Sequence, residues 1–93
     1  MNLSQLTEIV RLRYPPELID TKKREATMYR IAICQHFIER YGMVWHEIAF
    51  AMREVMGRDL NYSKTAITTY RRKHWELLRT NEKYNEIYKS INN

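Results

Sequence analysis

Only two glycines and two prolines occur in the 93 residues, and they fall at three places: Pro15-Pro16, Gly42 and Gly57. These are the residues that supply left-handed backbone or remove an amide hydrogen, so the stretches between them run without a built-in interruption. Apolar side chains in those stretches recur at spacings of three and four, and no stretch shows the period of two that a half-buried strand requires. The sequence therefore predicts an all-α fold, a small bundle of about five helices forming one domain over 1–93. An apolar fraction of 44% is a globular value, and a chain of this length can bury one core without disulfide or metal staples.

The first helix is expected over 3–13, with Leu3, Leu6, Ile9, Val10 and Arg13 on one stripe. Pro15 and Pro16 then force a turn, and Leu18 and Ile19 tuck the connection against the core. The second helix should begin at Thr21 or Lys22 and end at Tyr41, closed by Gly42 as a left-handed cap. Ile31, Cys34, Ile38 and Tyr41, broadened by Ile33 and Phe37, make it the central pillar. A third helix over 44–56 should bury Val44, Ile48, Met52 and Val55. The fourth should start after Ser63 as N-cap and reach Arg79, and Asn81 should cap a last helix whose apolar face carries Tyr84, Ile87, Tyr88 and Ile91.

The stretch NYSKTAITTYRRKH, residues 61–74, carries the functional signal. At 100° per residue, Ile67, Tyr70, His74, Leu77 and Leu78 gather toward the core, and Thr65, Thr68, Thr69, Arg72, Glu76 and Arg79 lie opposite, flanked by Lys64 and Lys73. Three threonines on an exposed helical face are unfavourable for local propensity and have no packing reason. A helix in the DNA major groove needs such a face. Short side chains let its end approach the bases, threonine offers a hydroxyl and a methyl, and arginine pairs bidentately with guanine. A solvated polar face is the competing reading. The net charge of +5 and a pI near 9.5 suit an acidic partner.

With the amphipathic stretch VWHEIAFAMREVM before it and the turn region 57–62 between, this helix completes a helix-turn-helix over about 44–79. The sequence here resembles the C-terminal DNA-binding domain of the bacterial replication initiator DnaA, which is akin to the Trp repressor. The likeness covers most of the chain: a leading helix followed by Leu18-Ile19, a basic run, a long central helix, a helix with Glu47-Ile48, and the distal helix. The family's recognition helix opens with a segment of the type Asp-His-Thr-Thr-Val followed by Arg-Lys. The stretch Ser63-Lys64-Thr65-Ala66-Ile67 matches this opening and Arg71-Arg72 the Arg-Lys pair, in the register that places Thr65 on the second signature threonine. The Asp-His pair falls on Tyr62-Ser63, Lys64 replaces the first threonine, and the connection around Gly57-Arg58-Asp59 is longer than the family's turn. The resemblance thus implies DNA reading in the family's manner without its usual DNA box.

The family's basic loop before the central helix corresponds to Thr21-Lys22-Lys23-Arg24, with Arg30 farther along and Tyr29 where the family places an arginine. The resulting assignment has Lys64, Thr65, Thr68, Thr69 and Arg72 reading bases, and Lys22, Lys23, Arg24, Ser63, Arg71 and Lys73 contacting phosphates. The expected partner is double-stranded DNA, with other replication or regulatory proteins as further partners. The alternative is a helical protein-interaction module of the same fold that has lost DNA reading, with Phe50, off its helix's apolar stripe, as a contact.

Other chemistries find no motif. There is no glycine-rich phosphate cradle, nucleophile motif or carboxylate cluster, so the chain is not expected to be an enzyme, to hold a cofactor or to take a small-molecule substrate. His36, His46 and His74 have no metal-ligand spacing with one another or with Cys34, and His74 reads as a satisfied core histidine. Trp45 and Trp75 read as core or core edge in preference to base-stacking platforms. The lone Cys34 and the absence of a long apolar run predict a reducing, cytoplasmic setting with no membrane partner. At 93 residues, whether free-standing or an excised domain of something larger, the chain is not expected to carry the ATPase of the initiators.

Overall fold

The computed structural model describes residues 2–18, 24–56 and 63–92. Five α-helices are found among them: α1 (Leu3–Arg13), α2 (Arg24–Tyr41), α3 (Trp45–Met56), α4 (Lys64–Thr80) and α5 (Glu82–Asn92), with a 3-10 turn at Pro16–Leu18. No strand occurs among the described residues. The radius of gyration, 12.0 Å, is that of a single compact domain of this length. The expected start of α2 at Thr21 or Lys22, the burial of Ile19, and the turn region 57–62 with Gly57-Arg58-Asp59 lie outside the described residues.

Local chemistry fixes most helix ends. Asn2 opens α1 through a capping box, its Oδ1 accepting from the Gln5 N–H at 2.8 Å while Gln5 Oε1 accepts from the Asn2 N–H at 3.0 Å. Tyr14, the residue before Pro15, turns extended at φ −99°, ψ 127° and ends the helix, as a residue preceding proline favours. Gly42 sits at φ +61° and donates its N–H to the Ile38 carbonyl at 3.2 Å, the left-handed cap that its sequence position predicts. Ser63 Oγ accepts from the Ala66 N–H at 3.2 Å to start α4.

Asn81 makes a one-residue joint between α4 and α5. Its N–H donates to the Leu77 carbonyl at 2.8 Å, and its side chain accepts from the Tyr84 N–H at 2.9 Å. Asn85 locks the corner by donating to the carbonyls of Leu78 and Asn81.

α1 packs on α3, while α2 packs on α4 and α5. The core joins Leu6, Val10, Tyr14 and Leu18 to Ile48, Ala49, Met52 and Val55 on one side, and to Ile67, Tyr84, Ile87 and Ile91 on the other. α2 runs between them with every residue from Arg30 to Phe37 buried. Its role as pillar is as expected, but its burial is wider than a stripe. Arg30, Gln35 and His36 are inside with the apolar residues. Tyr41, at the last position of the helix, is exposed and outside the core, with its ring stacked on Phe37, centroids 5.4 Å apart.

Two other expectations about burial are corrected. Val44 precedes α3 instead of beginning it and is 47% exposed, so the helical period does not aim it at the core; Ala49 and Ala51 complete the stripe. Leu3, at the first position of α1, is likewise exposed, at 38%. No described helix is long and apolar enough to cross a membrane.

Candidate nucleic-acid interface

Helix α4 concentrates the protein's positive charge. Lys64, Arg71, Arg72, Lys73 and Arg79 face one carboxylate on the same helix, Glu76, so this element carries four of the net five charges of the chain. The ion pairs among the described residues, Glu8–Arg11 and Glu25–Lys83, involve none of these five. Their charge is therefore directed to solvent, where it attracts polyanions.

The core side of α4 is as the wheel predicts. Ile67 and His74 are fully buried, and Tyr70, Leu77 and Leu78 are half-buried against the same core. The opposite side holds Lys64, Thr65, Thr68 and Arg72 exposed and Thr69 half-buried, and these five residues line one shallow concavity. All five expected base-reading residues thus share one surface. Thr68 Oγ1 donates to the Lys64 carbonyl at 2.9 Å, which commits its proton to the helix and leaves its oxygen to act as an acceptor.

The expected phosphate contacts separate into groups. Arg24, at the start of α2, and Lys73, on α4, line one concavity together with Thr27, Leu77 and the Glu76 carboxylate, so two cations distant in sequence meet there beside one acid. Arg71 lies on the other flank of α4, in a groove shared with Trp45 and Lys64. Ser63 commits its oxygen to capping α4, and its proton can still be donated. Lys22 and Lys23 lie outside the described residues. Arg30, farther along α2 and outside that assignment, is only 3% exposed and sits beside Tyr14.

Both tryptophans differ from the expectation of core or core edge. Trp75 is 53% exposed and Trp45 39%. The physical reason is that α2 and α5 cover the His74 side of α4 and leave the adjoining flank open, while Trp45 stands at the uncovered first position of α3. Phe50, on the solvent side of α3, is 44% exposed, off the apolar stripe as its spacing indicates.

The histidines are structural in different ways. His74 Nδ1 is hydrogen-bonded to the Tyr84 hydroxyl at 2.6 Å, and His36 Nδ1 to Asn92 Oδ1 at 2.7 Å. Each is thus satisfied at one nitrogen only, because Nε2 of both rings is buried without a partner. Burial holds both imidazoles below their ordinary pKa, against the raising influence of the Asn92 hydrogen bond on His36 and of Glu39 on His74. Burial likewise pushes the Cys34 thiol far up, away from thiolate reactivity. Among the described residues no three His, Cys, Asp or Glu side chains come together as a metal-holding group.

No family model, curated protein or solved structure matches this chain. The chemistry of the α4 surface is therefore the ground on which function is argued.

Proposed function

We propose that the protein binds double-stranded DNA sequence-specifically by placing α4 in the major groove. One observation carries this reading. The helix that holds four of the five net charges presents the short side chains of Thr65, Thr68 and Thr69, together with the longer Lys64 and Arg72, on a single outward surface. Threonines near the N-terminal end permit close approach to base edges, and Arg72, a turn farther along, has the reach and fork geometry for guanine. Arg24 and Lys73 on one side, Arg71 on the other, and Lys22, Lys23 and Ser63 from the preceding segments supply phosphate contacts that set the register.

In this reading the protein is a replication- or transcription-related regulator of the DnaA C-terminal-domain kind, with a helix-turn-helix formed by α3 and α4. It acts as a binding module without catalysis. The altered opening of α4, with Lys64 in place of a threonine, gives it a recognition sequence of its own.

The test is a salt titration of duplex binding. Each neutralised phosphate adds roughly 0.9 to the slope of log affinity against log salt. A steep slope together with preference among duplexes is the expected result; a flat slope with equal affinity for every duplex contradicts the proposal. A second reading, a protein-interaction module, is favoured by one observation: the outward Phe50 on α3. A protein partner that stays bound after nuclease treatment and is lost in Phe50→Ala would favour it.

A further inference from the structure

The groove between the start of α3 and α4 differs chemically from the threonine face beside it. Val44 and Trp45 form one wall, Lys64, Thr68 and Arg71 the other, and its volume is about 240 Å³. Lys64 and Thr68 also line the base-reading concavity, so the two surfaces are continuous. No carboxylate among the described residues lines the groove. Glu47, in the first turn of α3, is occupied with the Val44 N–H at 3.3 Å.

The row continues along α4. Trp75 follows Arg71 by one helical turn, which puts it on the same flank as Lys64, Thr68 and Arg71. Its indole rests at 72° to the His74 ring, centroids 4.8 Å apart, and is otherwise half open to solvent. Two exposed indoles and two cations with no ion pair among the described residues thus alternate along one strip. A solvated surface gains nothing from exposing tryptophan, whereas an anionic chain bearing flat aromatic groups is complementary to such a strip on both counts.

We propose that this strip binds a single-stranded nucleic-acid segment, with bases stacked on Trp45 and Trp75 and phosphates held by Lys64 and Arg71. Stacking on indoles is independent of base identity, because every base offers a π-face, and the cations track the backbone. The groove would thus hold unpaired strand, a ligand distinct from the duplex read by the threonine face. Sharing Lys64 and Thr68, the two ligands compete. The inference stands on the tryptophans and does not require the duplex reading to hold.

The chain has two tryptophans, both in this strip, so intrinsic fluorescence reports on it directly. Titration with oligodeoxythymidylate and, separately, oligouridylate is expected to quench the emission, the two arms showing whether the sugar matters. Trp45→Leu and Trp75→Leu, both at exposed positions outside the buried core, should each weaken binding by roughly five- to a hundredfold. Arg71→Gln should lower the salt slope by about 0.7, the single-strand value for one phosphate. Lys89→Gln on α5, which removes the same charge elsewhere, should leave affinity unchanged. Unchanged fluorescence with both oligomers overturns the proposal. So does binding that survives both tryptophan substitutions, or that falls equally with Lys89→Gln and Arg71→Gln, since either would mean charge attraction alone. Duplex selection is a separate measurement, so failure here and failure of the duplex reading are distinguishable.

Discussion

His74 on α4 and Tyr84 on α5 meet through a hydrogen bond of 2.6 Å between Nδ1 and the hydroxyl, with both side chains fully buried. Their rings lie at 69° with centroids 5.6 Å apart, and Tyr88 stacks alongside Tyr84 at 10°. The pair ties the last helix to the candidate recognition helix across the Asn81 corner. Tyr84→Phe keeps the ring and removes the oxygen, leaving Nδ1 without a partner in addition to Nε2. The expected cost is about 1–3 kcal/mol of unfolding free energy, read by denaturant titration at constant m-value. A loss well below that range would show that the bond contributes little.

Acid should loosen the bundle. Burial holds His36 and His74 below their ordinary value of about 6.5, so the unfolded chain takes up protons first as pH falls. Stability is therefore fully present above pH ~6.5 and declines below it until the folded-state values are reached, at up to about 1.4 kcal/mol per pH unit for each histidine. Arg13 and Arg40 near His36 work in the same direction, and Glu39 opposes at both rings. Glu39 adds a loss at lower pH: despite desolvation, hydrogen bonds from Tyr88 and Gln35 hold its carboxyl below the usual value of about 4.5. Thermal melts from pH 8 to pH 5 check this, and stability that does not change over that range contradicts it.

Ser63→Ala removes the oxygen that accepts from the Ala66 N–H at the start of α4. The expected destabilisation is about 1 kcal/mol, within the usual range for losing a cap. Ser63→Asp should restore the cap. If duplex binding uses this end of the helix, the added negative charge should weaken DNA affinity even where the fold is restored. Melting and binding measured together separate the two effects.

The fourth and fifth helices are legible because local and global signals agree there. Ser63, the three-and-four spacing of Ile67, Tyr70, His74 and Leu77, and Asn81 as cap of the last helix all point to the same ends and the same buried side. The second helix is less legible. Enclosed by neighbours on several sides, it buries Arg30, Gln35 and His36, polar types that a one-sided stripe assigns to solvent. At the candidate site, the five residues of the α4 face follow from helical geometry alone. The meeting of Arg24 with Lys73, and of Trp45 with Arg71, depends on how separate helices pack, which no spacing within one helix reveals.

Arg72→Ala and Lys73→Ala should differ in kind. If Arg72 reads a base, its loss costs on the order of 1–3 kcal/mol on the preferred duplex and relaxes discrimination at one position. Lys73, grouped with Arg24 on the flank, should weaken all duplexes alike when replaced and lower the salt slope by about 0.9. The reverse pattern would show the two roles to be exchanged.

The central claim, that the outward face of α4 reads DNA sequence, is tested most directly by selection of bound duplexes from a random pool. Two proteins would be compared: the natural chain, and a variant with Lys64, Thr65, Thr68, Thr69 and Arg72 all replaced by alanine. Four of those positions are exposed and Thr69 is half-buried, on the side of α4 away from Ile67 and His74, so the variant is expected to fold, which its circular dichroism would verify. A defined sequence enriched by the natural chain and absent from the variant's pool is the predicted result. A natural chain that enriches no sequence, or a variant that enriches the same one, would contradict the account.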